Sequence, residues 1–236
     1  MQHLMSRMRA AMEKYDMIAP ADTVAVGVSG GKDSLALLYA LCELRRFYPV
    51  PYTVKAVSVD PCFFGQPTDY GAIEALCGEL GVEFTVRRTE LYRIIFETRK
   101  ESNPCSLCAR MRRGILHDTC KAAGANKLAL GHHMDDAAET FLMNLLSGGT
   151  IGSFKPVTYL SRKDITVIRP MIFASEADVR RAAEKQNLPV IKSPCPMDKA
   201  SEREHVKQLM WELEKNYPAL SEKITGAMEK DGISGW

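Results

Sequence analysis

Nothing in these 236 residues forms an uninterrupted apolar run long enough to span a bilayer. The opening stretch Met1-Gln2-His3-Leu4-Met5 has no signal-peptide core. These two absences set the expectation of a cytoplasmic protein with no membrane partner. Net charge is scarce as well: 31 Lys and Arg against 29 Asp and Glu leave +2. That balance is too mild to demonstrate a nucleic-acid partner, yet a local basic face can coexist with a small net charge. Internal repeats and low-complexity tracts are missing, which sets aside repeat architectures. No disulfide framework is expected either. Seven cysteines in a chain without a secretory signal point to thiols or a metal site. With 46% hydrophobic and 25% charged residues, this is an ordinary globular composition. The length suits one large α/β domain, or a domain with a small appendage.

The informative stretch is Val26-Gly27-Val28-Ser29-Gly30-Gly31-Lys32-Asp33-Ser34. A β-branched apolar run, Thr23 to Val28, leads into it, and Leu35, Leu37, Leu38 and Leu41 lead away at helical spacing. Strand, glycine turn, helix is the context of a phosphate-binding loop. Gly30 and Gly31 permit positive φ and close backbone approach. Asp33 and Ser34 fall in a first helical turn, whose free N–H groups and dipole favour an anion. Lys32 adds a mobile cation for phosphate oxygens. The ordinary P-loop is excluded, because Val26 stands at its first glycine position and Asp33 follows the lysine. The stretch instead resembles the PP-loop, SGGxDS, of ATP pyrophosphatases of the adenine-nucleotide α-hydrolase type. That resemblance implies ATP cleavage between the α and β phosphates, with AMP placed on a substrate oxygen. A glycine turn without a ligand is the bland alternative.

Periodicity predicts a helix from about Leu4 to Tyr15, broken by Pro20-Ala21-Asp22. The helix after the glycine loop runs to about Tyr48, before Pro49 and Pro51. A second strand covers Thr53 to Val59, ending at Asp60; a helix covers Asp69 to Gly81; a third strand covers Val82 to Val86. Another strand, Lys127 to Leu130, precedes Gly131-His132-His133-Met134-Asp135-Asp136, and a last one covers Ile165 to Ile168. Between them Thr150 to Asp164 reads as a mobile loop over the substrate or a plain surface hairpin. Ser175-Glu176-Ala177-Asp178 has capping-box spacing for a helix to about Gln186. Ser201 to Met228 reads as helical with Pro218 interrupting, and Asp231 to Trp236 as loose. The fold class expected is α/β, a doubly wound, mostly parallel sheet with helices on both faces, Rossmann-like, with a helical C-terminal tail. The expected units are an N-terminal helix (1–22), a PP-loop ATPase domain (23–195) and a helical tail packed on it (196–236).

Cys105 and Cys108 stand three apart at a helix start, with Pro104 suited to the first position. Their spacing lets them hold one metal, and Arg110, Arg112 and Arg113 favour thiolates. Cys195, between Pro194 and Pro196, supplies a third ligand on a rigid loop. Three thiolates with one open position fit a [4Fe-4S] cluster. Zinc with a water is the competitor. Cys42, Cys77 and Cys120 fall on helix patterns and read as core; Cys62, near the end of the second strand, also reads as structural. Asp135 and Asp136 begin a helix and, with Asp33, are candidate Mg²⁺ ligands on nucleotide phosphates. The competing reading is an acidic first turn that complements the helix dipole.

Taken in order, SGGKDS, PCxxC with its arginines, GHHxDD, Ser147-Gly148-Gly149-Thr150, Ile168-Arg169-Pro170-Met171 and Pro194-Cys195 resemble the tRNA 2-thiocytidine synthetase family. The match runs from about Thr23 to Cys195. Two departures stand out: Met134 lies between the histidines and Asp135, and Pro196-Met197-Asp198 follows Cys195 in place of a second cysteine pair. The resemblance implies an ATP-dependent tRNA sulfurtransferase that adenylates the C2 carbonyl of cytosine 32 and replaces its oxygen with sulfur. Its implied cofactors are ATP, Mg²⁺ and a [4Fe-4S] cluster. Its implied partners are tRNA and a sulfur donor, a cysteine desulfurase or sulfide. ATP would lie on Val28, Ser29, Gly30, Gly31, Lys32, Asp33 and Ser34, with Val59 backbone at the adenine and Gly131, His132, His133 and Asp136 lining the pocket. Lys32, Asp33, Cys105, Cys108 and Cys195 would carry catalysis. A PP-loop ligase acting on another base or a small molecule, with zinc or no metal, is the alternative. The tail is read as domain packing, a homodimer face or a tRNA contact. Basic pairs such as Arg45-Arg46, Arg87-Arg88, Arg99-Lys100, Arg112-Arg113, Arg162-Lys163 and Arg180-Arg181 are tRNA phosphate contacts if they converge, and solvated charge if not.

Overall fold

The computed structural model describes residues 1–99, 104–197 and 202–236. Lys100 of one basic pair, Asp198 after the third cysteine and Ser201 at the expected start of the tail lie outside them. The chain opens with helix α1 (Gln2–Lys14), then strand β1 (Asp22–Gly27), α2 (Lys32–Leu44) and β2 (Tyr52–Asp60). Next come α3 (Gly71–Glu79), β3 (Phe84–Arg88), a π-helical turn (Arg93–Thr98) and α4 (Pro104–Ala122). Strand β4 (Lys127–Ala129) leads to α5 (Met134–Gly148), β5 (Val157–Leu160), β6 (Ile165–Ile168) and α6 (Glu176–Lys185). The tail is α7 (Glu202–Glu214) and α8 (Leu220–Lys230).

The six strands lie in the order β3-β2-β1-β4-β6-β5, parallel except for β5 against β6. The two faces follow from alternation along each strand. Val24 and Val26 of β1 join one core with Leu35, Leu37, Leu38 and Leu41 of α2 and with Leu4, Met8 and Met12 of α1. Ala25 points the other way, into a smaller core with Val57, Leu128 and Cys120 of α4. Each fully buried leucine of α2 is worth about 1.5–3 kcal/mol relative to exposure. From β1 the chain steps outward to β2 and β3, then returns to β4 on the opposite side of β1. Ligands of open α/β sheets gather outside the carboxyl ends at that reversal. The loops carrying Ser29–Lys32 and Gly131–His133 leave those two ends.

Of the two readings of Thr150–Asp164 the surface hairpin holds: Val157–Leu160 pairs in register with Ile165–Ile168 at the sheet edge. One expectation changes: the C-terminal segment is not loose. The Trp236 ring is 8% exposed in the main core, and its indole N–H donates to the Phe154 carbonyl at 2.9 Å. Burying an indole with its N–H satisfied anchors the segment. Among the described residues no helix is long and apolar enough to cross a membrane.

Candidate active site

The glycine loop is held by its own side chains. The Ser34 hydroxyl donates to the Gly31 carbonyl (2.9 Å) and accepts from the Ser29 N–H (3.1 Å), while the Ser29 hydroxyl accepts from the Gly31 N–H (3.3 Å). In this arrangement Ser34, buried, shapes the loop, because its proton is committed internally. Gly30 sits at φ +86°, where a side chain is strained. The Val28 N–H donates to the Val57 carbonyl at 2.8 Å, fixing where the loop leaves the sheet. Gly131 is required for packing: a Cβ there would stand 3.1 Å from backbone atoms of Asp33 and Ser34. Gly131→Ala should therefore push the two ligand loops apart and cost about 1–3 kcal/mol, as overpacking does. A thermal melt would show the loss, and nucleotide affinity should fall with it.

Lys32 is clamped between acids. Its Nζ lies 3.0 Å from Asp33 Oδ1 and 3.1 Å from Glu176 Oε1. Burial alone would lower the Lys32 pKa, but those carboxylates outweigh it and raise it. The aligned hydrogen bond from Lys32 reaches Asp33 Oδ2 (3.3 Å), and Asp33 Oδ1 is buried without a hydrogen-bond donor among the described residues. A carboxylate oxygen beside a phosphate loop, held among the described residues only by the Lys32 ion pair, suits a hard cation. Glu176 also receives Lys207 of α7 at 2.9 Å. Asp135 serves the scaffold: its oxygens accept from the Glu176 N–H (2.7 Å) and the Ser221 hydroxyl of α8 (2.9 Å). Asp136 forms a capping box with His133, accepting from the His133 N–H (3.0 Å) while its own N–H donates to His133 Nδ1 (3.4 Å). The acidic pair thus reads first as helix capping and tail anchoring, and His133 is a buried cap, not a pocket residue.

Two carboxylates here give opposite pH signatures. Burial would raise the Glu176 pKa, but Lys207 and Lys32 outweigh it and bring it down to about 2. Burial and the Asp136 charge push Glu139 up to about 7. A depressed acid stabilises the fold above its unfolded pKa and loses that contribution as pH falls toward the folded value. A raised acid does the reverse, so its cost appears as pH rises through about 7. Glu176→Gln should lower the urea midpoint at pH 7 and flatten its fall between about pH 5 and 3. Glu139→Gln should raise the midpoint at pH 8 and leave it unchanged at pH 4.

His132 lines a cavity of about 310 Å³ with Gly27, Val28, Val59, Arg112 and Arg113. Its ring packs on Phe154 at 4.8 Å, and its Nδ1 accepts from Arg169 Nε at 3.3 Å. Burial outweighs the pull of Asp136 and lowers the His132 pKa to about 4. The imidazole is therefore neutral at pH 7, with Nε2 left to carry the proton. Arg169 also lies 4.9 Å over Phe154, the residue Trp236 braces.

The cysteine site adjoins the glycine loop. The Ile191 N–H donates to the Gly30 carbonyl at 2.9 Å, so the segment that continues to Cys195 is tied to the phosphate loop. Cys105, Cys108 and Cys195 are all free thiols, partly exposed. Burial raises the Cys108 pKa; Arg112 opposes this by hydrogen bond and charge, while Cys195 and Cys105 add to it. Yet among the described residues no three His, Cys, Asp or Glu side chains gather for a single metal ion. A zinc ion would draw its sulfurs to within about 2.3 Å of itself. A cluster instead spreads its thiolates over separate irons.

Residues 2–213 match the PP-loop domain family. A tRNA-cytidine(32) 2-sulfurtransferase from Syntrophotalea carbinolica is 41% identical over 221 residues, covering 92% of this chain and 85% of that protein. This chain belongs to the tRNA-cytidine(32) 2-sulfurtransferase family. Another member, from Dechloromonas aromatica, is 36% identical over 97% of this chain and 79% of its own length. Among solved structures, the U34-tRNA thiolase NcsA from Methanococcus maripaludis, with its [4Fe-4S] cluster, superposes with a TM-score of 0.79 at 29% identity, covering 97% of this chain and 77% of that one. The doubly wound sheet and helical tail are the fold this family shares with that thiolase.

Sequence reasoning missed the share of α6 and the tail in the site: Glu176 of α6, and Lys207, Ser221 and Arg203 of the tail. Arg203 Nη2 donates to Thr140 Oγ1 at 3.1 Å, and Nη1 stands 3.7 Å from Asp136 Oδ1 and Glu139 Oε2. Only the capping box at Ser175 hinted at any of these, and it signals a helix start, not convergence.

Proposed function

We propose that this protein is an ATP-dependent tRNA sulfurtransferase that converts cytidine 32 to 2-thiocytidine. The observation that supports the reading is the Ile191–Gly30 hydrogen bond, which ties the segment leading to Cys195 to the phosphate loop. ATP lies with its phosphates over Ser29–Lys32, where the first-turn N–H groups of α2 and the Lys32 ammonium meet negative charge. Its adenosine fits the cavity beside Val59 and His132, where His132 Nε2–H is a fixed donor. Asp33 Oδ1 is the first candidate ligand for Mg²⁺. The C2 carbonyl oxygen of cytosine attacks the α phosphorus, the α–β bond breaks and pyrophosphate leaves. Hydrosulfide then attacks C2, the C–O bond breaks, and AMP departs with the original oxygen, the sulfur's proton passing to solvent. Cys105, Cys108 and Cys195 would hold a [4Fe-4S] cluster, which supplies an iron free of protein ligands to present sulfide. Sulfide or a cysteine desulfurase supplies the sulfur.

The test is nucleoside mass spectrometry of tRNA incubated without oxygen with the protein, ATP, Mg²⁺ and sulfide. ATP-dependent 2-thiocytidine is the expected product. Pyrophosphate release with no thiolated base would overturn the sulfur step and favour a PP-loop ligase.

A further inference from the structure

The carboxyl edge of the sheet carries a second feature, beyond the nucleotide and cysteine sites. The loop after β2 presents Phe64, 58% exposed, on left-handed backbone: Cys62 at φ 50°, Phe64 at 55° and Gly65 at 73°. Bulky residues rarely hold that conformation without support. Support is present. The buried Asp60 carboxylate accepts from the Cys62 N–H (3.0 Å), the Thr68 N–H (2.8 Å) and the Thr68 hydroxyl (3.0 Å). Phe64 meets Tyr92 with ring centroids 4.8 Å apart, and Tyr92 stacks on Phe96 at 5.2 Å and 23°. Tyr92 precedes the π-helical turn and Phe96 lies within it, a local distortion common at functional sites. Beside Phe64, a cavity of about 350 Å³ is lined by Cys62, Gly65, Arg88, Thr89, Glu90 and Arg93; Arg93 is paired with Glu90, and Arg88 is in no ion pair among the described residues. Both arginines are exposed.

An exposed aromatic ring on a braced loop, with arginines at its margin, has the chemistry of a shelf for an unstacked base and its phosphates. Its position suits the substrate. Phe96 packs against the small core of Val59, Leu91 and Ile95, which Cys108 also touches. We propose that Phe64, backed by Tyr92 and Phe96, stacks a splayed-out base of the RNA loop that flanks the reacting cytosine, while Arg88 meets the adjoining phosphate. This rests on the tRNA reading above and adds a base-stacking subsite to it.

The test is binding of unmodified tRNA by the full chain with its metal centre, measured by fluorescence anisotropy, beside Phe64→Ala, Phe64→Trp and Arg88→Ala. Phe64→Ala should weaken tRNA binding by about 5- to 100-fold, the range for one lost base stack. Phe64→Trp should restore it to within a few-fold, and ATP affinity should not move in either variant. Arg88→Ala should reduce the slope of log affinity against log salt by about one. Wild-type tRNA binding matched by Phe64→Ala would overturn the stacking subsite and leave the tRNA reading intact. Equal losses in Phe64→Ala and Phe64→Trp would also overturn it, since a second flat ring should stack. A wild-type protein that binds no tRNA would overturn the underlying reading itself.

Discussion

Lys32→Ala should cut tRNA-dependent pyrophosphate release by about 10²- to 10³-fold, the usual cost of removing one group aimed at developing charge in a transition state. Lys32 is the cation of the glycine loop, and Asp33 and Glu176 hold its Nζ at 3.0 and 3.1 Å. A long side chain fixed at two points has already lost much of its rotamer freedom, so it reaches the phosphates at little further entropic cost. The fold should survive the change. Glu176 keeps Lys207 at 2.9 Å, and the loop's own bonds through Ser29 and Ser34 do not involve Lys32. A thermal melt close to wild type, with release kinetics collapsed, is the expected pair of results. A Lys32→Ala protein that releases pyrophosphate at the wild-type rate would remove the lysine from the adenylation step.

Cys195→Ala should separate the two halves of the reaction. Protein purified without oxygen should carry about four irons and matching acid-labile sulfide per chain, as a [4Fe-4S] site requires. The variant should lose both, and 2-thiocytidine formation should fall to background. Pyrophosphate release should persist within a few-fold, because the link between this segment and the phosphate loop is a backbone bond at Ile191, four residues away. Iron retained in Cys195→Ala would remove that residue from the ligand set. Zinc in both proteins would favour a mononuclear site.

The secondary structure was legible because its signals are local. Apolar spacing marked α1 and α2, and β-branched runs marked β1 and β2. Prolines and glycines marked most of the ends. Strand β5 was legible only as one of two readings, hairpin or mobile loop, because Val157–Leu160 is short, half-buried and pairs only at an edge. The C-terminal segment looked loose because its one anchor, Trp236, depends on Phe154, 82 residues earlier. His132 and His133 look alike in sequence. One lines the cavity and the other caps α5, and the difference lies in which carboxylate and which arginine each meets.

The sequence by itself determined the chemistry available to this protein. SGGKDS specified a phosphate loop, and three cysteines in two proline-marked segments supplied the candidate ligands of the proposed metal site. Their order along the chain specified the family. These are properties of residue type and short spacing, and they need no long-range contact to be read. Only the tertiary structure decided how those parts meet. It joined Gly30 to Ile191, so that the segment leading to Cys195 is tied to the phosphate loop. It brought Glu176, Lys207 and Ser221 from the last third of the chain to Lys32 and Asp135. It also braced Phe64 on Asp60 beside the same edge. Such contacts span tens to hundreds of residues, and what selects them is the packing of whole helices on the sheet, which no local pattern records.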